Sequence, residues 1–306
     1  MKVLHVDSAL EWRGGQAQLA HLLAARPGDL LAAAAGGELG RRARVPDVVL
    51  HPGNDPRNAL LVRAGSRRLG VDLVAAHHSH AHNASLLVGV PLVVHRRNHR
   101  PPGSGWKYRR VAQVVAVSQY VAGLCGAAGL RGVSVVYDGV PVGAPVPPSA
   151  RDGRAPVFGT AGALVEHKGH VVLLEALSKV RGTLLVAGDG KLRAALSRQA
   201  ESLGGRVSFL GALPSLSGFF ADIDVFVHPS LDEAAGSVLV EAMAAGVPVV
   251  ATTAGGQPEL VGEAGMLVPP GDVHALASAL RAPRSRGEGT EQAARFPVAR
   301  MVRETE

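Results

Sequence analysis

Val225-Phe-Val-His-Pro229-Ser-Leu-Asp-Glu233-Ala-Ala-Gly236-Ser-Val-Leu-Val-Glu241-Ala-Met-Ala-Ala-Gly246-Val-Pro248-Val-Val-Ala-Thr252 contains a short apolar run, a loop, a helical pattern and a second apolar run. Val225–Val227 is expected to be a buried strand, Val238–Ala245 a helix that starts at Gly236 and Ser237, and Val247–Ala251 the next strand, which is a β-loop-α-β unit. The free N–H groups of such a helix start form an anion site, and Gly236 lets a phosphate approach the backbone. Glu233 and Glu241, eight positions apart, can accept hydrogen bonds from sugar hydroxyls on either side of that anion. Taken alone, this spacing more often belongs to two independent surface carboxylates.

The same alternation continues in both directions. Before the quoted stretch come Val157–Thr160, Thr183–Ala187 and Val207–Leu210, and after it Met266–Val268. The first half reads likewise, with Lys2–Val6, a Gly14-Gly15 loop, a helical pattern over Gln16–Ala25, and apolar runs at Val48–Leu50, Leu73–Ala76, Leu92–Val94, Val114–Val117 and Val133–Val136. Strands alternating with helices imply parallel sheets covered on both faces. Residues 142–156 hold four prolines and no periodicity, as a linker does. The expected organisation is therefore α/β: a Rossmann-like domain over 1–145, a linker over 146–156, and a second Rossmann-like domain over 157–306. The charged tail should end in a short helix at Val298–Thr305 that belongs to the second domain or packs back on the first. Ligands of such sheets bind at the carboxyl ends of the strands, here expected to face a cleft between the domains.

Composition narrows the function classes. Of the 306 residues 47% are hydrophobic, which excludes whole-chain disorder, and 4% are aromatic, too few for a base-stacking groove. Cys125 is the single cysteine, so neither an intramolecular disulfide nor a cysteine metal cluster is expected. The uncharged window Val111–Leu130 carries glutamines and glycines that suit hydrocarbon poorly, and Met1 leads directly into strand-like alternation without a signal-peptide pattern. A cytoplasmic protein is expected, or one peripheral to the inner membrane face. Charge is uneven: 17 basic against 8 acidic residues in 1–150, and 15 against 17 in 151–306. The basic half suits an anionic partner, a membrane surface, or a merely solvated arginine-rich face; no specific nucleic acid is expected.

The Glu233–Glu241 segment resembles the Glu-x7-Glu signature of retaining, nucleotide-sugar-dependent glycosyltransferases of family 4. The following Gly246-Val-Pro-Val-Val-Ala-Thr and the turn Gly255-Gly256-Gln-Pro-Glu259 are also similar to that family. So are the loop Gly162-Ala-Leu-Val-Glu-His-Lys168-Gly169, the strand Asp222-Ile-Asp-Val-Phe-Val-His, the turn Gly265-Met-Leu-Val-Pro-Pro-Gly-Asp272 and, in the first half, Gly14-Gly15-Gln-Ala-Gln18. The resemblance implies a GT-B fold, two Rossmann-like domains with the donor held mainly by the second. It implies that Glu241 binds ribose hydroxyls, Glu233 the transferred sugar and Lys168 the diphosphate. Amides of Gly15, Ser237 and Val238 and the Gly162 loop would meet phosphates. A histidine near the sugar would be His77, with His80 the second choice.

One departure is Ala163, where the family usually has a basic residue; Arg13, His167 and Arg193 are the candidate substitutes. Arg96 and Arg97, in the run His95-Arg-Arg-Asn-His-Arg100, are candidates for contacting an anionic or membrane-associated acceptor. Four histidines in 77–82 and the pair Asp222/Asp224 invite a metal reading, but the histidines should splay and the aspartates precede a strand, so no metal and no cofactor is expected. The reading is a glycosyltransferase that moves a sugar from a nucleotide diphosphate donor with retention of configuration. A nucleotide-sugar 2-epimerase and a non-catalytic sugar-nucleotide binding module are the alternatives.

Overall fold

Strands buried on both faces must be apolar along nearly their whole length, and those of this chain are. The computed structural model describes all residues except 104, 142, 144, 148, 150–153 and 306. The chain divides into two units, Met1–Gly139 with Val298–Glu306, and Val140–Pro297.

The first unit runs β1 (Val3–Asp7), α1 (Gly14–Ala25), β2 (Leu30–Ala34), α2 (Glu38–Arg42), β3 (Val48–Leu50), α3 (Arg57–Leu69), β4 (Leu73–Ala76), α4 (Ser79–Ser85), β5 (Leu92–Arg96), β6 (Val111–Ala116), α5 (Gln119–Ala127) and β7 (Ser134–Val135). Its seven strands are parallel in the order β3-β2-β1-β4-β5-β6-β7. Leu4, Val6, Val74, Leu92 and Val94 fill one core. Each such fully buried side chain stabilises the unit by roughly 1.5–3 kcal/mol.

The second unit runs β8 (Val157–Ala161), α6 (His170–Ser178), β9 (Thr183–Ala187), α7 (Arg193–Glu201), β10 (Val207–Gly211), α8 (Ser217–Ala221), β11 (Val225–His228), α9 (Ser237–Ala244), β12 (Val249–Thr252), α10 (Gln257–Val261), β13 (Met266–Val268), α11 (Val273–Arg281) and α12 (Thr290–Ala293). Its parallel order is β10-β9-β8-β11-β12-β13. Phe158, Leu173, Leu177, Val225 and Leu276 centre its core. Both orders reverse direction beside the first strand of the unit, leaving a crevice at the carboxyl ends of β1 and β4 in one sheet and of β8 and β11 in the other.

The structure differs from the sequence expectations at one strand and at the domain boundary, and it places the final helix at one of its two expected positions. Leu30–Ala34 is a strand, although nothing in its alanines announced one. The units part at Gly139 and Val140 rather than at 145. Of the expected linker 146–156, Val146 and Ser149 donate backbone N–H groups to Ala245 and Ala221 carbonyls of the second unit, and residues 148 and 150–153 lie outside the described residues. The final helix, α13 (Val298–Thr305), belongs to the first unit, where Met301 packs against Leu22, Val115 and Val136. Gly139 is required there, because a Cβ would sit 2.6 Å from the Val298 Cα. Among the described residues no helix is long and apolar enough to cross a membrane.

Candidate functional site

In the second unit the crevice is built by the loops that follow β8 and β11. The β8 loop leaves through Gly162, makes a 3-10 turn at Glu166–Lys168 and re-enters α6 through Gly169. Gly169 has φ +67, and a Cβ there would lie 2.0 Å from the Pro229 carbonyl oxygen, so any side chain would push the two loops apart. Leu231 N–H donates to the His167 carbonyl at 2.7 Å and closes the junction. Lys168 and Glu233, 65 positions apart, are thereby brought together.

Glu233 is the hub. One carboxylate oxygen, Oε2, is ion-paired with Lys168 Nζ and lies 3.0 Å from His228 Nε2. The Ser230 hydroxyl donates to the same oxygen at 3.4 Å, and the Ala234 N–H donates to Oε1 at 3.2 Å. Burial by itself would raise this carboxyl, but the Lys168 charge and the His228 hydrogen bond outweigh burial and hold it well below the usual carboxylate range. His228 is depressed by its own burial, against the pull of Glu233. It is therefore neutral at physiological pH, with the Nε2 proton donated to the carboxylate. Behind the loop, Gln257 Nε2 donates to Thr252 Oγ1 at 2.7 Å, Thr252 donates to the Ser230 carbonyl at 2.5 Å, and Gly256 N–H donates to the Glu233 carbonyl at 3.1 Å. His228, Ser230, Thr252 and Gln257 were in the quoted motifs but carried no assigned role; the polar ends of β11 and β12 were the available signal.

Helix α9 opens with Gly236 at φ +94. The amides of Ser237 and Val238 have no acceptor among the described residues and point out of the positive end of the helix. Glu241, on the second turn, is raised to about 7 by burial, and its carboxyl has no hydrogen-bond partner among the described residues. The two glutamates thus differ: one is ionised and saturated, the other half-buried and unpaired. Arg193, a candidate to replace the cation absent at Ala163, is instead held at β10, stacked 4.8 Å over the Phe209 ring and donating to the Phe209 carbonyl. Asp224 accepts the Val157 N–H at 2.7 Å and Asp222 accepts the Ser149 hydroxyl at 2.9 Å, so this pair braces strand ends.

In the first unit His77 stands at the end of β4, but its ring is enclosed. Arg97 Nη1 lies 3.0 Å from His77 Nδ1, His77 Nε2 lies 2.9 Å from His5 Nδ1, and His5 Nε2 lies 3.2 Å from Asp29 Oδ2. Arginine can only donate, which fixes the direction of the chain: Arg97 to His77, His77 to His5, His5 to Asp29. Both imidazoles are then neutral and both nitrogens of each are used. Arg97 is anchored by Nε donating to Asp138 Oδ1 at 3.0 Å. His95 stacks on His77 with centroids 4.4 Å apart.

The other first-unit candidates are dispersed. His78 caps α4 through Nδ1, His80 is exposed and His82 faces the Lys107 carbonyl. Arg96, expected to meet an acceptor, is buried, with its guanidinium on Asn98 and the Arg100 carbonyl. That expectation is corrected, because the alternation of β5 turns Arg96 inward. Arg97 is likewise occupied inside the unit. Gly15 lies in the first turn of α1 near the Arg97 side chain, and Arg13 is exposed beside Glu11. Among the described residues there is no group of three or more His, Cys, Asp or Glu that could hold a metal ion.

Residues 155–282 match the family described as Glycosyl transferases group 1. The matched residues lie within the second unit. Lys168, Glu233 and Glu241 all lie inside the matched residues. Among curated proteins the chain is similar to the lipopolysaccharide core biosynthesis glycosyltransferase LpsE of Rhizobium meliloti, at 40% identity over 131 residues, 41% of this chain and 38% of that protein. It is also similar to the 2-deoxystreptamine glucosyltransferase of Streptomyces kanamyceticus, at 31% identity over 202 residues, 58% of this chain and 52% of that one. The matched stretches thus span about two fifths to one half of those relatives. The crystal structure of Anabaena HepE in complex with UDP and glucose is similar over 100% of this chain and 98% of its own, with a TM-score of 0.85 and 25% identity. The fold class is GT-B, and the residues that match the glycosyl transferases group 1 family carry the Glu233 hub.

Proposed function

We propose that the chain transfers a sugar from a nucleoside diphosphate donor, bound by the second unit, to an acceptor, with retention of anomeric configuration and without a metal ion. The observation that carries this reading is the convergence of Lys168, the ionised Glu233 and the open amides of Ser237 and Val238 at the β8/β11 crevice. Departure of a nucleoside diphosphate builds negative charge, and a fixed ammonium beside a helix start stabilises that charge as it forms. The same groups supply the positive charge for which other transferases use a metal. Glu233, freed from Lys168 when a diphosphate takes the ammonium, accepts hydroxyls of the sugar, and Glu241 accepts ribose hydroxyls. With its Oε2 already engaged by His228 and Ser230, Glu233 is a poor nucleophile, which favours departure and attack on one face over a covalent intermediate. The HepE complex with UDP makes a uridine diphosphate sugar the first donor to try, and the basic first unit suits an anionic acceptor at a membrane face.

A panel of nucleotide sugars tested by thermal shift identifies the donor, since a ligand of the folded state raises the melting temperature. Release of free nucleoside diphosphate in the presence of acceptor and EDTA, with the anomeric proton coupling of the product read by NMR, tests transfer, retention and metal independence together. Donor binding without turnover on any acceptor would leave a binding module and sink the enzyme reading.

A further inference from the structure

The first unit has a cavity of about 720 Å3 to which neither the fold nor the group 1 match assigns a role. It lies between the start of α3, the end of α4 and the segment before β6, and its volume is that of a small-molecule site. Its apolar wall is formed by Pro56, Ala59, Leu86, Leu87 and Trp106, of which Trp106 is 58% exposed and Leu87 43%. Lys107, Arg109 and Arg110 line it as well, with Lys107 Nζ 5.9 Å from the centre of the Trp106 ring. Lys107 is held in place by its bond to Asn83 Oδ1 at 2.8 Å, and Asn83 in turn donates to Asn54. Arg109 and Arg110 are exposed and have no carboxylate partner among the described residues. The one carboxylate of the lining, Asp55, is already neutralised by Arg57, whose Nη2 and Nε donate to it at 2.6 and 3.0 Å. An exposed tryptophan and leucine beside three cations, two of them unpaired, leave both apolar surface and positive charge unsatisfied in one place.

We infer that this cavity binds an anionic amphiphile, with a hydrocarbon chain against Trp106 and Leu87 and a phosphate head on Arg109 and Arg110. Helix α4 ties the cavity to the β1/β4 crevice, since its end contributes Asn83 and Ala84 and its start is capped by His78 at the end of β4. Its seven residues span about 10 Å. An amphiphile seated here is thereby positioned as the acceptor, or as the lipid that holds the acceptor side at a membrane. Naming it an acceptor rests on the proposed function; its binding does not.

The test uses the full chain with Trp12→Phe, so that Trp106 is the single tryptophan, excited selectively at the red edge of its absorption. It is titrated below their micellar concentrations with decyl phosphate, hexyl phosphate and neutral decyl glucoside, and separately with inorganic phosphate. Decyl phosphate should shift the Trp106 emission and bind at least tenfold more tightly than each of the other three: than the two shorter phosphates because each buried methylene contributes roughly fourfold, and than decyl glucoside because only the phosphate meets Arg109 and Arg110. R109E/R110E and L87D should each weaken decyl phosphate at least tenfold while keeping the thermal shift with nucleoside diphosphate. R109Q/R110Q takes the place of the reversal if that variant does not fold. Equal affinity for decyl glucoside or for inorganic phosphate, or wild-type affinity in both the arginine and the Leu87 variants, would overturn the inference. Loss of all nucleotide binding by the wild type would count against the proposed function and leave the amphiphile result standing.

Discussion

Lys168 and Glu233 form an ion pair whose partners come from different loops, one after β8 and one after β11, so this side-chain contact joins the two sides of the crevice alongside the Leu231–His167 backbone bond. Lys168→Met would leave Glu233 buried and short of its main counter-charge, and should destabilise the domain by on the order of 3 kcal/mol. Adding Glu233→Gln should return most of that stability but none of the activity, with kcat down roughly 100-fold or more in every variant. Urea unfolding and steady-state turnover of the wild type, Lys168→Met, Glu233→Gln and the double variant check both statements.

Glu241 should make stability pH-dependent. The folded protein holds a proton on this carboxyl up to about 7, whereas the unfolded chain releases it near the ordinary glutamate value of 4.5. Its contribution is therefore complete below about pH 4.5 and is lost as pH rises through 7, a decline of about 3 kcal/mol. Glu241→Gln should remove that decline, giving a higher urea midpoint than wild type at pH 8 and a similar one at pH 4.5. It should also abolish any strengthening of nucleotide binding between pH 6 and 8, as read by calorimetric titration.

Arg97→Ala should cost about 3 kcal/mol in urea unfolding, since it strands both Asp138 and His77. Arg97→Lys should recover little of this, because one ammonium cannot reproduce the fork that gives Nε to Asp138 and Nη1 to His77.

Transfer should persist in EDTA at the wild-type rate, because Lys168 and the α9 amides supply the positive charge. Loss of activity that a divalent ion restores would refute this.

Raising salt should increase the apparent KM for an anionic acceptor more than that for the donor, since exposed charges are screened over about 8 Å at physiological ionic strength. The arginines to reverse in this experiment are Arg109 and Arg110. Reversing Arg96 or Arg97 would damage the fold, because both guanidinia are turned into the unit.

Most of the architecture was legible because parallel strands are short apolar runs between helices. The strand at Leu30–Ala34 was not, because three of its five residues are alanines, which have little intrinsic preference for a sheet and become a strand through pairing with β1 and β3. Glu233, Glu241 and Lys168 could be picked out individually, since the helix start and the glycine loops surround them in sequence. Their division into a saturated and an unpaired carboxylate could not, for it depends on a lysine 65 positions away. Arg96 and Arg97 show the same limit more sharply, because adjacent arginines of similar appearance are separated in role by where each finds a carbonyl, an amide or a carboxylate. His5 gave no signal, being a lone polar residue in a central strand, yet it carries the hydrogen bond between His77 and Asp29.

The placement of α13 has a consequence for synthesis. The second unit is one uninterrupted segment, whereas the first is completed only by Val298–Thr305, whose Met301 fills the gap beside Leu22, Val115 and Val136. As the chain leaves the ribosome, the first sheet emerges early but must wait for some 150 further residues before its last hydrophobic face is covered. Nascent chains stalled before residue 298 should therefore present an open apolar groove to chaperones and proteases, even when the domain made after it has already folded.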